Sequence, residues 1–242
     1  ARPDVKPETE QSGMDECTVL LTISVFLVSC PKEVVCVPNL MKPCVEIFKE
    51  AWCTKKPLVQ LKCVQTLCSV YQHADRDVST PFIHGVGGPV IEHLLGVGGG
   101  VARPTTELEL AVVLEGVRMV ETLVALAEDS TRINLISILV PMLVSYLLEP
   151  GKIPEASQVS RALHEHALQR LMKFGPQYPV HFRTVMQASL ELRTRLEAAV
   201  KAQQASLASK PESKSAALKK AEAASASMAK PTIQLKTNFS NF

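Results

Sequence analysis

Residues 105–128 read TTELELAVVLEGVRMVETLVALAE, and this stretch decides the fold class. Apolar side chains recur in it every three or four residues, which is the spacing that keeps them on one face of an α-helix. The side chains predicted to point inward are those of Leu110, Val113, Leu114, Val117, Val120 and Val124, and those predicted to point outward are Glu115, Arg118 and Thr122. Thr106, followed three positions later by Glu109, is a candidate N-terminal capping box. The stretch therefore predicts one long amphipathic helix.

The same periodicity extends over most of the chain. It predicts helices at residues 14–29, 39–53, 57–73, 80–96, 105–128, 131–148, 155–174, 179–188 and 190–205. Proline and glycine separate these helices, as at Pro150, Gly151 and Pro154. No strand pattern bounded by turn signals occurs before residue 206. The sequence therefore predicts an all-α fold.

Most of the predicted helices form neighbouring pairs. The pairs are 39–53 with 57–73, 80–96 with 105–128, 131–148 with 155–174, and 179–188 with 190–205. Their first helices start about 40 to 50 residues apart, which is the period of HEAT and armadillo repeats. Pro43, Pro89 and Pro141 lie in the first helices of three pairs, where each would bend the helix. We therefore expect a HEAT/armadillo-like α-solenoid of paired antiparallel helices, with a single four-helix bundle as the main alternative.

The pairing divides the chain into three parts. Residues 1–12, with their prolines and alternating charges, are expected to be a disordered leader. Residues 13–205 are expected to be a HEAT-like repeat domain, truncated at its N-terminal side because the helix at 14–29 has no partner. Residues 206–242 are expected to be an Ala/Ser/Lys-rich disordered tail that ends in a short apolar motif.

The lysines near the C-terminus allow two interpretations. Residues 201–242 hold seven lysines and two glutamates, a net charge of +5. In one interpretation the tail is a solvated linker. In the other it makes weak electrostatic contact with an acidic surface, either anionic lipid or nucleic acid. Interleaved aromatic and arginine side chains, which would favour nucleic acid, are lacking.

Large apolar residues return at the end of this tail. They are Ile233, Leu235, Phe239 and Phe242. Large apolar side chains that are exposed on a tail lower the free energy only when another protein surface buries them. Ile233 and Leu235 alternate as in a strand that adds to a sheet edge, and Phe239 with Phe242 forms an F-x-x-F pair suited to a pocket. We assign these four residues to partner binding as a hypothesis, and the alternative is a C-terminal cap on the last repeat.

The composition excludes several classes of protein. With 46% hydrophobic and 21% charged residues, the chain is not disordered over most of its length. Only one Trp, three Tyr and seven Phe are present, so the core is expected to be aliphatic. A net charge of +2 creates no field that implies nucleic acid as a partner. The apolar run at residues 18–30 is shorter than the roughly 20 residues of a bilayer span, so it is expected to be a buried helix.

The sequence shows no pattern typical of catalysis or metal binding. All seven cysteines lie in the first 68 residues without a C-x-x-C spacing, so reduced thiols packed in helices are expected, with structural zinc as the alternative. His164 and His166 point in different directions on a helix and are expected to be surface or partly buried positions. The glycine run at 85–100 lacks the G-K-[ST] of a phosphate loop and is expected to be a flexible connection. Because no nucleophile lies in a G-x-S-x-G elbow, we predict no catalytic residue, no metal, no cofactor and no enzyme activity.

Several stretches resemble the C-terminal end of the HEAT repeat-containing protein 5 family. They read LMKFGPQYP at 171–179, FRTVM at 182–186 and LRTRLEAAV at 192–200. The stretch PTIQLKTNF at 231–239 is similar to the last residues of that family. The resemblance implies the C-terminal piece of a very large cytosolic solenoid, and it does not decide between paralogues.

The resemblance also implies a function, that of a non-enzymatic scaffold of the trans-Golgi and endosomal clathrin machinery. The implied partners are the Golgi-endosome clathrin adaptor complex, aftiphilin and gamma-synergin. The implied roles are vesicle traffic, endocytosis, protein localisation and retrograde transport from endosome to Golgi. The protein is expected to be cytoplasmic and to associate only peripherally with the trans-Golgi network, endosomes and clathrin-coated vesicles, with adaptors as one route. No nucleic acid partner is expected. The F-x-x-F pair would then dock on an adaptor appendage domain. The alternative function is a nuclear-transport or cytoskeletal binding solenoid.

Overall fold

The computed structural model describes residues 8–208, with side chains for residues 15–205. All regular secondary structure in this part of the chain is helical. By its internal contacts the chain divides into two units, Ala1–Val200 and Lys201–Phe242. The second unit contributes only residues 201–208 to the described part, as the end of the last helix.

The helices largely occupy the predicted positions. They are α1 (Glu8–Ser29), α2 (Lys32–Val35), α3 (Pro38–Cys53), α4 (Pro57–His73), α5 (Arg76–Phe82), α6 (Gly88–Gly98), α7 (Glu107–Leu126), α8 (Asp129–Ser145), α9 (Gln158–Gln177), α10 (Pro179–Ala188) and α11 (Leu190–Ala208). A π-helix, Ile83–Gly87, joins α5 to α6, and a 3-10 helix, Pro150–Lys152, precedes α9. The all-α prediction is therefore confirmed for residues 8–208.

The predicted bounds of several helices need correction. The helix predicted at 80–96 is divided into α5, the π-helix and α6, and α8 ends at Ser145 rather than at residue 148. Helix α1 begins at Glu8, so it overlaps the leader that was predicted at residues 1–12. Helix α9 continues through Gly175 and Pro176 to Gln177, beyond its predicted end at 174. Pro176 removes one N–H donor from the last turn, and Gly175 before it has no Cβ to clash with the proline ring, so the helix can continue. Helix α11 ends at Ala208 rather than at residue 205.

Helix α7 starts with the predicted capping box. The hydroxyl of Thr106 accepts a hydrogen bond from the backbone N–H of Glu109 at 3.2 Å, and the Glu109 carboxylate accepts one from the backbone N–H of Thr106 at 3.2 Å. The same carboxylate also accepts from the N–H of Thr105 at 2.8 Å. These bonds, led by the one from Thr105, lower the pKa of Glu109 because they favour its ionised form. They satisfy donors that any helix start leaves unpaired.

The helices are stacked in two rows. In the first row α4 packs against α1 on one side and α7 on the other, and α7 also contacts α9. In the second row α3 contacts α5 and the π-helix, α6 contacts α8, and α8 contacts α10. Contacts of α3 with α4, α6 with α7, α7 with α8 and α8 with α9 join the rows. The pairing of helices into repeats stays a prediction. The arrangement is compatible with an α-solenoid.

The fourth predicted pair, 179–188 with 190–205, does not form in the expected way. The main contacts of α10 are with α8 and α9 rather than with α11. Helix α10 is short and buries only Val185 and Met186, so it can cover the end of the preceding helix pair but cannot build a further one.

The core is aliphatic, as the composition predicts. Its largest fully buried side chains are Phe48, Phe82, Leu20, Leu27, Leu67, Leu94, Met119, Ile136, Leu139, Met142, Leu143 and Leu147. The rings of Phe48 and Phe82 meet edge to face at 5.3 Å. Thr122, which was predicted to point outward, is instead buried. Its hydroxyl donates to the Arg118 carbonyl at 2.9 Å, so the polar group is satisfied inside its own helix.

The glycine run at 85–100 is not the flexible connection that we expected. Residues 83–98 form the π-helix and α6, and the glycines in them allow close packing. A Cβ atom on Gly85 would lie 2.7 Å from a methyl group of Val45, and one on Gly98 would lie 2.0 Å from the Ser145 hydroxyl oxygen. Only Gly100, at φ 83°, adopts the left-handed conformation of a true turn.

The prolines of the predicted first helices have two different environments. Pro43 lies inside α3 and Pro141 lies inside α8, as predicted. Pro89 instead lies in the first turn of α6, directly after the π-helix. A widened π turn accommodates the missing proline N–H in a helical segment that would otherwise break.

The apolar run at residues 18–30 belongs to α1 and is buried on one face only. Leu20, Ser24 and Leu27 are buried, whereas Val19 and Val25 are exposed. None of the helices in the described part of the chain is both long enough and apolar enough to cross a bilayer.

Candidate functional site

The four residues predicted to bind a partner, Ile233, Leu235, Phe239 and Phe242, lie outside the described residues. The same is true of the lysine-rich tail from residue 209 onward. The assignment of this segment to partner binding therefore stays a prediction.

Within the first unit, the C-terminal halves of α4, α7 and α9 enclose a cleft of about 260 Å³, here called the charged cleft. Its polar and charged lining residues are Gln72, Arg118, Glu121, Arg170, Lys173 and Gln177. On α7 and on α9 these residues are three or four positions apart, so each set shares one helix face. The stacking of α4, α7 and α9 then brings the three faces to one place.

Two ion pairs organise the wall of the charged cleft. Arg170 lies 3.4 Å from the Glu121 carboxylate, and Arg118 lies 2.9 Å from that of Glu115. Burial raises the pKa of Glu121, and the nearby cations Arg170, Lys173 and Arg118 oppose that rise. Lys173 is exposed and makes no ion pair with any residue whose side chain is described.

An aromatic wall closes the other side of the charged cleft. The ring of Phe174 lies 4.8 Å from that of Tyr178, and the guanidinium of Arg132 lies 5.9 Å from the Tyr178 ring. Arg132 also donates to the backbone carbonyls of Val124, at 3.1 Å, and Ala127. Arg132 therefore caps the C-terminus of α7, where its positive charge also interacts favourably with the negative end of the helix dipole.

A second depression, the apolar groove, lies between the end of α9, α10 and α11 and has a volume of about 660 Å³. Its apolar lining residues are Gly175, Pro176, Pro179, Phe182, Met186 and Leu196. A Cβ atom on Gly175 would contact the Phe182 ring at 3.6 Å, which is ordinary van der Waals contact.

A third cleft of about 360 Å³ lies where the turn between α3 and α4 faces α6 and the start of α7. His93 in this cleft meets the Trp52 ring edge to face at 5.5 Å, and burial lowers its pKa. Gln60 donates to the Trp52 carbonyl at 2.8 Å. His93 in the lining is therefore a half-buried imidazole that packs against the indole of Trp52.

His164 is more deeply buried than the surface or partly buried position that the sequence predicts. Its Nδ1 atom accepts a hydrogen bond from the backbone N–H of Leu148 at 3.0 Å. Burial lowers the pKa of His164, and the nearby Glu165 opposes this shift. His164 thus joins α9 to the segment that follows α8.

Arg195 reaches the same place from α11. It donates to the carbonyls of Ser145 at 3.2 Å and Leu147 at 2.6 Å. Tyr146 makes a further hydrogen bond between distant segments, because its hydroxyl donates to the Leu94 carbonyl of α6 at 2.8 Å. Sequence patterns did not predict these bonds, since each bond joins residues about fifty positions apart.

The cysteines show no arrangement that would hold a metal. All seven are free thiols. Burial raises the pKa of Cys63 and of Cys68 to about 12, so both are neutral at physiological pH. Among the residues with described side chains, no group of three or more His, Cys, Asp or Glu residues could hold a metal ion.

No family model matches the chain, and no solved structure matches it. The charged cleft and the apolar groove are therefore the structural features from which a function can be proposed.

Proposed function

We propose that the protein is a non-enzymatic helical scaffold that binds segments of partner proteins in clefts between its stacked helices. The observation that carries this proposal is the charged cleft. Side chains from three stacked helices meet there, and they offer cations, amides and apolar surface at an open depression. These are groups that recognise another polypeptide.

The finer form of the proposal is a HEAT/armadillo-like scaffold that acts with the clathrin adaptor machinery. In this form it supports vesicle traffic at the trans-Golgi network and endosomes, including retrograde endosome-to-Golgi transport and protein localisation. The proposed partners are the Golgi-endosome clathrin adaptor complex, aftiphilin and gamma-synergin. Its support is the resemblance of residues 171–200 and 231–239 to the HEAT repeat-containing protein 5 family.

The apolar groove supports a binding role for the resembling stretch itself. Phe182 and Leu196 line an open depression, and the exposed pair Arg193 and Glu197, 2.9 Å apart, borders it. An apolar centre with a charged rim is the usual composition of a protein-binding surface. The residues that carry the resemblance therefore also form a surface that a partner can contact.

The test is proximity labelling from the full chain in cells, combined with its localisation. We expect juxtanuclear puncta that overlap the clathrin adaptor, together with labelling of the adaptor. Phe182→Asp should reduce that labelling, because it places a charge in the apolar groove. Val180→Asp is the matched control, since Val180 belongs to the same helix and is 72% exposed.

Signal at the nuclear rim or on microtubules would favour the alternative, a nuclear-transport or cytoskeletal solenoid, and would contradict the clathrin assignment. Equal labelling by both α10 variants would remove the apolar groove from the proposal. Melting curves of the two variants separate loss of binding from loss of folding.

A further inference from the structure

We propose that the charged cleft binds an acidic peptide segment of a partner, in which carboxylates flank one apolar side chain. This inference rests on the proposed function, because it names the kind of segment that the scaffold would bind. Three observations define the occupant: the charge of the cleft wall, its exposed apolar surface and its size.

Charge is the first observation. Three cations, Arg118, Arg170 and Lys173, line the cleft together with a single carboxylate, that of Glu121. Oppositely charged surfaces steer association and fix the register of a bound segment. An excess of cations in the lining therefore selects an acidic segment over a neutral or basic one.

The cations are not equivalent, and their existing bonds determine where the carboxylates of the peptide bind. Arg170 is already held by Glu121 at 3.4 Å, and its Nε lies 3.4 Å from the Nε2 atom of His166. Glu121 would also repel a second carboxylate placed beside Arg170. Arg118 is also held, by Glu115 at 2.9 Å, so it offers only a weaker second contact. Lys173 is exposed and forms no ion pair with a described side chain, so it offers the strongest contact.

Apolar surface beside these cations is the second observation. Leu126 is 54% exposed although it lines the cleft next to the Phe174–Tyr178 wall. Water in contact with this leucine is released when an apolar side chain covers it. One apolar residue between the acidic ones would reach Leu126 while its neighbours reach Lys173 and Arg118.

Size is the third observation. At about 260 Å³ the cleft is smaller than the roughly 300–1,000 Å³ of pockets for drug-sized ligands. It opens to solvent along three helix faces, so it accepts one or two side chains of an extended segment. A folded domain could only touch its rim.

The test uses the full chain and a defined probe, a fluorescein-labelled peptide in which Asp and Glu alternate with Phe and Leu. The comparison peptide carries Asn and Gln at the acidic positions. Fluorescence anisotropy should show binding of the acidic peptide that weakens as salt is raised, because exposed ion pairs are screened. The neutral peptide should bind at least about tenfold more weakly.

Lys173→Glu should weaken binding of the acidic peptide by about tenfold, since it removes one attraction and adds a repulsion. Lys42→Glu is the matched control: it is the same substitution at an exposed position on α3, in the other row of helices. An exposed lysine without an ion pair contributes little to folding, so both variants should melt at the temperature of the wild type.

Equal binding of the acidic and neutral peptides, or equal loss in the two lysine variants, would overturn the inference. Tighter binding of a single-stranded RNA of matched charge would overturn it as well, because the site would then be a general polyanion surface. These failures leave the proposed function intact if adaptor labelling persists. Loss of adaptor labelling in cells, with peptide binding retained, would reject the proposed function and keep the inference.

Discussion

The centre of the described chain and its C-terminal end are stabilised in different ways. Helix α7 buries ten of its residues, seven of which are leucine or valine, against neighbours on both sides. Helix α10 buries two, and Ala199 is the buried hydrophobic residue of α11. The end of the stack depends instead on particular polar bonds, such as those of Arg195 and His164. The comparison shows that apolar burial holds the middle of a stack, while its last helices need directed bonds.

The largest effect is expected from a cavity in the middle of the stack. Leu143 is fully buried in α8, so Leu143→Ala should lower the free energy of unfolding by about 2–5 kcal/mol. Leu190, at the start of α11, is 77% exposed, and Leu190→Ala should change the free energy of unfolding by less than about 0.5 kcal/mol. Urea unfolding measures both. Similar losses at the two positions would contradict the difference drawn between the regions.

The next effect concerns the bonds at the end of the stack. Arg195→Met keeps the length of the side chain but leaves the carbonyls of Ser145 and Leu147 without their donor. Because a bond to a charged group contributes about 1.5–3 kcal/mol, we expect a loss of roughly 2 kcal/mol. Arg193→Met is the control, since Arg193 makes only an exposed pair with Glu197 that contributes about 0–1 kcal/mol. Equal losses would show that α11 is held by its apolar side chains.

A third prediction concerns the close packing of α6 against α8. Gly98→Ala would place a methyl group 2.0 Å from the Ser145 hydroxyl oxygen and 3.0 Å from its Cβ, so we expect a loss of about 1–3 kcal/mol. Gly88→Ala meets no atom within 4 Å, and it should stabilise the helix by about 0.5–1 kcal/mol. Thermal unfolding of both variants is the measurement. A stabilised Gly98→Ala variant would mean that α6 and α8 separate easily.

The smallest effect is a dependence on pH at the C-terminal end. His164 accepts a bond at Nδ1 and has a lowered pKa in the folded state, so the unfolded state binds the proton more readily. Its contribution to stability is present above pH 6.5 and is lost as the pH falls through the lowered pKa of the folded state. His164→Gln should therefore lose less stability than the wild type on acidification. His73→Gln is the control because His73 is exposed.

His93 and His166 contribute in the same direction, because burial lowers the pKa of each. The His164→Gln variant should consequently retain part of the acid sensitivity. Unfolding curves recorded at several pH values for the wild type and the two variants measure this. If the free energy of unfolding depends on pH identically in all three proteins, the acid sensitivity must come from other groups.

Local patterns predicted local features well. The bounds of α4 agree with the prediction at both ends, and the capping box of Thr106 and Glu109 forms as expected. Both depend on residues within a few positions of one another. Helix α8 has no comparable cap, since Glu128 occupies its N-cap position without a capping side-chain hydrogen bond.

The predictions that were wrong concern features that depend on a neighbouring helix. The glycines of the π-helix and α6 were predicted to form a connection because glycine favours loops, yet Val45 and Ser145 on other helices require small residues at Gly85 and Gly98. Thr122 was assigned to the surface by its polarity, although its hydroxyl is satisfied inside the helix and a neighbour covers it. A sequence pattern carries no information on which distant surface a helix face will meet.

By itself the sequence determined the all-α class, most helix positions and the aliphatic core, because three-to-four periodicity, proline and capping act over a single helical turn. Only the tertiary structure decided that Arg118 and Arg170 share one cleft and that Arg195 bonds the end of α8. These residues are about fifty positions apart in the chain. Contacts over such separations follow from which apolar faces stack, and that choice depends on the packing of the whole array.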